Sequence, residues 1–248
     1  MFGLSIEGSV AQILLSRPEA RNAMPVEQWD VLASTAERAV GDGARALILA
    51  GSAAGVFCAG ADVSDFGRFR SSREARTEFR LAIRNGLDRL RDLPVPTIAL
   101  VEGACYGAGV ALAMACDVRI AGLGARFAIT PAKLGISYPQ EDVHRLVSLV
   151  GSGQAARLLL SAATIDGAEA ARIGLAELYA RSGAAEAAAG LAEAIAANDS
   201  DSLRTLKRAV GLAAAGVRQD EAQDRAFDEL LGSEALGLRL EAYRGRSR

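Results

Sequence analysis

Two segments of this chain follow one plan. ALILAG (46–51) precedes the loop GVFCAGADVSDF (55–66), and PTIALV (96–101) precedes EGACYGAGVALAMACD (102–117). Short apolar runs bounded by turn residues suit strands buried in a parallel-type sheet. Each run hands over at its C-terminal side to a glycine-rich loop, which is where an α/β protein places a ligand.

The rest of the N-terminal half keeps the alternation. Phe2 to Ile6 and Val10 to Leu15 read as short strands, and a helix is expected after Pro25. Residues 71–93 place Phe79, Ile83, Leu87 and Leu90 at helical intervals, with the arginines read as a solvated face. DVRIAG and RFAIT read as further strands, giving an α/β chain of strand, strand, helix units. From about residue 150 alanine, leucine and charges dominate, and helices are expected at 153–160, 167–174, 184–197, 200–214 and 218–231. Such alanine-rich helices pack closely either on the chain's own core or on a second copy.

Composition narrows the functions. At 248 residues with half of them apolar and a net charge of -2, the chain can build a substantial core and offers no polyanion-binding surface, so no nucleic-acid partner is expected. Cys58, Cys105 and Cys116 lack the spacing of a metal site or a disulfide framework. The N-terminal stretch alternates and turns, unlike a signal peptide, and no apolar segment reaches bilayer length before meeting glycine or charge. A soluble, cytoplasmic protein without a membrane or metal partner is the expectation.

Glycines in the two loops let a ligand approach backbone N–H groups, and at a helix start these donors stabilise an oxygen gaining negative charge. The same glycines also serve tight turns and close helix packing, and spacing alone leaves both readings open. A nucleotide site is disfavoured, since neither GxxxxGK[ST] nor a GxGxxG after the first strand is present.

RPEARNAM (17–24), ALILAG, VFCAGADVSDF (56–66), PTIALVEGACYGAGVALAMACDVRIA (96–121), FAITPAKLG (127–135) and the helical tail, in this order, resemble the crotonase superfamily, the enoyl-CoA hydratase/isomerase family. The resemblance implies a spiral of ββα units over residues 1–195 and a helical C-terminal trimerisation region over 196–248. It also implies a homotrimer or dimer of trimers acting on an acyl-CoA, with the CoA thioester as substrate and no metal or other cofactor. By the same resemblance the backbone amides of Ala61 and Ala108 form an oxyanion hole for the thioester, and Ala23, Ala59, Gly60, Asp62, Val63 and Gly107 line the substrate.

The sequence departs from the family at two decisive positions. Hydratases of the family activate water with two glutamates, and the matching residues here are Ala111 and Pro131. A positioned acid or base contributes on the order of 10² to 10⁴ in rate, so ordinary hydration is not expected. TPAKLGISY (130–138) resembles the TPxxLGxxY stretch of family decarboxylases, in which the tyrosine orients the acyl carboxylate, and Tyr138 takes that place. Those relatives carry histidine where Ala61 stands. Isomerisation would instead need one carboxylate, Glu141 or Asp142, although acids at a helix start also serve the dipole. A catalytically silent acyl-CoA binder is the alternative. His144, bordering the apolar face of that helix, reads as structural, and Asp62 and Asp117 read first as turn or cap residues.

Overall fold

The computed structural model describes residues 1–52 and 55–246, so positions 53 and 54, between ALILAG and the loop at 55–66, lie outside the described residues. The chain opens with an antiparallel pair, β1 (Phe2–Glu7) and β2 (Val10–Leu15), and then α1 (Gln28–Gly41). Three further units repeat the plan: β3 (Ala46–Gly51), β4 (Val56–Cys58) and α2 (Arg73–Arg91); β5 (Thr97–Val101), β6 (Ala104–Tyr106) and α3 (Ala108–Ala115); β7 (Val118–Gly122), β8 (Arg126–Ala128) and α4 (Gln140–Ser161). Helices dominate thereafter: β9 (Ile165–Asp166), α5 (Gly167–Arg172), β10 (Leu178–Ala180), α6 (Ala184–Ala196), α7 (Ser200–Ala214), α8 (Glu221–Leu231) and α9 (Glu234–Arg246).

Among the described residues the strands form two sheets, one ordered β1-β2-β3-β5-β7-β10 and one ordered β4-β6-β8-β9. Each of the three repeated units therefore supplies one strand to each sheet, and the chain turns from one to the other within a few residues. The glycine-rich segments at 55–66 and 102–117 each contain a three-residue strand, β4 and β6, too short to show a period of two in the sequence.

Period-two alternation explains why the β3 and β5 runs are apolar throughout. Leu47 and Leu49 face the main core with Ala99 and Val101, while Ala46, Ile48 and Ala50 face a second core with Ile98 and Leu100. The second core is closed by α6, whose Ala184, Ala188, Ala192 and Ala196 are buried at a spacing of four. That stripe places the backbone of α6 close against its own sheet and so settles, for this helix, which surface its alanines cover. By contrast, α7 and α8 bury no residue, and no helix among the described residues is long and apolar enough to cross a membrane.

The helix α3 is apolar all round, and Gly109 to Ala115 are buried without exception. A helix of this kind lies inside the molecule, so its N-terminus carries orphan N–H donors into the interior. That end belongs to the second glycine loop.

Candidate active site

The first loop is fixed by RPEARNAM. Asn22 is fully buried in the left-handed region at φ 56°, where its side-chain oxygen accepts the Arg17 N–H at 2.8 Å. Its amide donates to the carbonyls of Val56 and Phe57 at 3.2 and 3.1 Å, tying this segment to β4. Arg17 reaches the Ala23 carbonyl at 3.0 Å and pairs with Asp62 at 2.5 Å. Arg17 and Asn22, both within RPEARNAM, build this loop through contacts that residue type and spacing alone do not mark.

Asp62 behaves as a turn residue. Its carboxylate accepts the Ser64 N–H at 2.9 Å, and that bond, then Arg17, holds its pKa below the ordinary value. Met24 and Ala61 form a parallel bridge in which Met24 N–H donates to Gly60 and Asp62 N–H donates to Met24, at 2.8 and 2.9 Å. Successive peptide groups of an extended chain point to opposite sides, so the Ala61 N–H faces away from Met24. Among the described residues it has no backbone acceptor.

The second loop turns at Gly107, with φ 52° and ψ −119°, a conformation that excludes a side chain. Its N–H donates to Ala128 at 2.9 Å and its carbonyl accepts Val110 N–H at 3.0 Å as α3 begins. Ala108 is the first residue of α3, and its N–H likewise has no backbone acceptor among the described residues. The two loops touch through their glycines. A Cβ on Gly60 would lie 2.8 Å from the Tyr106 carbonyl oxygen and 3.2 Å from the Ala108 nitrogen, and one on Gly109 would lie 2.3 Å from the Cys58 carbonyl oxygen. The Gly60–Ala61 and Gly107–Ala108 peptides therefore belong to one place in the fold.

Tyr138 joins them. Its hydroxyl donates to the Gly107 carbonyl at 3.0 Å, on the same turn of α3 that carries Ala111. Burial, with the Asp142 charge adding to it, pushes the phenol well above its ordinary pKa, so it stays protonated. Ala111 is itself buried, and Pro131 opens a 3-10 turn, Pro131–Leu134. Neither position offers an acid.

The acids on α4 separate. Glu141 is exposed, whereas Asp142 is buried and meets Arg84 of α2 at 3.3 Å. Arg84 thus departs from the solvated face expected of the α2 arginines: it is enclosed between α2 and α4, and its second pairing, with Asp88, is at 2.7 Å. A charge placed at a helical interval between apolar residues gave no signal of this in the sequence. His144 is exposed, away from the apolar face it was expected to border. Asp117 caps the approach of β5 and β7, accepting the Thr97 N–H at 2.7 Å.

The buried thiols take no part in this arrangement. Burial pushes Cys58 and Cys116 up to about 12, and Cys105 well above the usual range, so none supplies a thiolate.

Comparison with known proteins adds the family. The enoyl-CoA hydratase/isomerase family model matches residues 5–236. The mitochondrial methylglutaconyl-CoA hydratase of Mus musculus is 33% identical over 162 residues, covering 65% of this chain and 51% of that protein. An enoyl-CoA isomerase/hydratase of Penicillium crustosum is 34% identical over 172 residues, covering 68% of this chain and 19% of that protein. The matched stretch thus spans about half or less of these two relatives. A crystal structure of an enoyl-CoA hydratase/isomerase family protein from Hyphomonas neptunium superposes with a TM-score of 0.93 at 33% identity, covering 99% of this chain and 95% of that one. On the match to 5–236 and this agreement along the fold, the chain belongs to the enoyl-CoA hydratase/isomerase family of the crotonase superfamily.

Proposed function

We propose that this protein binds an acyl-CoA thioester and polarises its carbonyl with the Ala61 and Ala108 amides. The observation that carries the reading is that two N–H groups without a backbone acceptor among the described residues stand on abutting glycine loops, one of them at the start of a buried helix. An oxygen gaining negative charge is stabilised by such fixed donors, and loss of one typically costs roughly 3 to 4 kcal/mol in the transition state. Ala59 and Val63 lie in the first loop and Ala23 in the segment paired with it, and Val63 offers an exposed apolar surface to the CoA. Asp62 lines the site through its backbone, its carboxylate being engaged by Arg17 and Ser64.

The chemistry this arrangement favours passes through a thioester enolate. Water addition is disfavoured because Ala111 and Pro131 bring no base to hold the water. Tyr138 favours a substrate with an acyl carboxylate: a phenol that keeps its proton can transfer its hydrogen bond from the Gly107 carbonyl to such a group and hold it out of the thioester plane. Apolar residues left exposed on α7 and α8, among them Leu206, Val210, Phe227 and Leu231, suit burial against further copies in a trimer or dimer of trimers.

A panel of crotonyl-, malonyl- and methylmalonyl-CoA, followed by mass spectrometry beside a binding isotherm, tests the reading. Binding of the esters with loss of CO₂ from a malonyl-type ester and no ordinary hydration of crotonyl-CoA is expected. Ordinary hydratase turnover would overturn it, and binding without any product would leave a silent acyl-CoA binder.

A further inference from the structure

The Gly107 carbonyl oxygen has more partners than the fold requires of it. Its place in the first turn of α3 is filled by the Val110 N–H at 3.0 Å, with the Ala111 N–H at 3.4 Å. The Tyr138 hydroxyl then adds a further donor at 3.0 Å, from a loop 31 residues along the chain. A buried hydroxyl needs an acceptor, but that need does not select this one. What is particular is the peptide it bonds. Gly107 and Ala108 share one trans peptide group, whose C=O and N–H point in opposite directions. The group therefore presents its oxygen to Tyr138 and its hydrogen to the other side, where the Ala108 N–H has no backbone acceptor among the described residues.

Two properties of this peptide give the added bond a consequence. Gly107, at φ 52° and ψ −119°, has no Cβ to resist rotation of the peptide plane that follows it, and a donor fixed against the carbonyl supplies that restraint. Hydrogen bonds in series also polarise one another, by roughly 10–30% per bond, so a phenol on the oxygen makes the N–H at the other end a stronger donor. Tyr138 is itself held in place. It packs against the main core and directly precedes Pro139 and α4, whose first turn is tied to α2 by Asp142 and Arg84 at 3.3 Å. From the first loop, Gly60 closes on the same peptide, where a Cβ would lie 3.2 Å from the Ala108 nitrogen.

We infer that Tyr138 is a positioning residue for the Ala108 amide, holding the Gly107–Ala108 peptide by its carbonyl so that the N–H stands fixed and polarised toward the thioester oxygen. The inference rests on the thioester reading above and adds to it a task for Tyr138 that needs no acyl carboxylate. With an ester that lacks such a group nothing competes for the hydroxyl, which stays on Gly107 and acts on the thioester only through the peptide.

The test uses butyryl-CoA labelled with ¹³C at the thioester carbonyl, an ester with no carboxylate for Tyr138 to orient. Infrared difference spectra near neutral pH are compared for wild type, Tyr138→Phe and protein in which 3-fluorotyrosine replaces Tyr138, beside calorimetric binding isotherms. Wild type is expected to move the carbonyl band to lower frequency. Tyr138→Phe should lose roughly 10–30% of that displacement, while Kd changes by less than about tenfold. 3-Fluorotyrosine is similar in size and more acidic, hence a stronger donor, and should move the band further than wild type does, a gain that a merely structural role would not produce. A band at the wild-type position in either variant would overturn the inference and leave the thioester reading intact. A wild-type complex with an undisplaced band, or no binding by wild type, would overturn the thioester reading and the inference with it. Should Tyr138→Phe not fold or not bind, the 3-fluorotyrosine protein decides.

Discussion

Each side chain of the site does a limited task, and the sequence disclosed these tasks unequally. Ala61 and Ala108 contribute only small size and an N–H, so no property of alanine marks them. They became legible through the resemblance carried by AGAD and YGAGV, and the fold supplies the rest by leaving those amides without a backbone acceptor among the described residues. Arg84 was illegible, because one arginine among many on a charged helix looks solvated until α4 closes over it. In the proposed reaction Tyr138 is the residue whose role separates binding from chemistry. Tyr138→Phe removes one hydrogen bond to a charged group, worth about a 10- to 100-fold fall in turnover of a malonyl-type ester, with the ester's Kd nearly unchanged. Unchanged turnover would remove Tyr138 from the reaction. Asp62 has a structural task with a pH signature. Its folded pKa is depressed below the unfolded value of about 3.9, so its contribution to stability is present above that value and lost as pH falls through the folded pKa. Asp62→Asn should therefore lower the melting temperature near neutral pH and converge with wild type near pH 2. An equal loss at both pH values would show that the charge is not what holds the loop.

Among elements, the long ones were plain from periodicity, and of the short ones only β8, inside RFAIT, was read as a strand. The apolar runs at 46–51 and 97–101 and the amphipathic helix at 73–91 carry enough residues for a period to show. β4, β6, β9 and β10 have only two or three residues each, and pairing with distant strands defines them. The proposed site sits at the ends of β4 and β6, which is why the loops were recognisable while their mutual contact was not. That contact depends on absent side chains. Gly109→Ala would place a methyl group 2.3 Å from the Cys58 carbonyl oxygen, against backbone that cannot swing away. A destabilisation of about 3 kcal/mol, at the upper end for overpacking, is expected in urea titration, together with loss of CoA-ester binding. Retention of wild-type affinity would mean that the two loops need not touch for the site to form.

At the level of the whole molecule, two cores share one sheet, and this arrangement decides where the site can be. The face of β3 and β5 carrying Ile48 and Ile98 is closed by α6, while the opposite face, with Leu47 and Ala99, looks toward the glycine loops and α3. The alanine pattern of the C-terminal third did not reveal which surface it covered; α6 rests on its own sheet, whereas α7 is attached by Lys207, which reaches Asp117 at 2.8 Å and the Val95 carbonyl at 2.9 Å. A buried helix with unsatisfied donors at its start, aimed at a second loop with the same property, is the arrangement on which the functional account depends. The most direct measurement is the infrared difference spectrum of butyryl-CoA labelled with ¹³C at the thioester carbonyl, free and bound. Two amide donors on one oxygen predict a carbonyl band moved to lower frequency in the complex, whereas a saturated complex whose carbonyl band stays at its free-solution frequency would contradict the account.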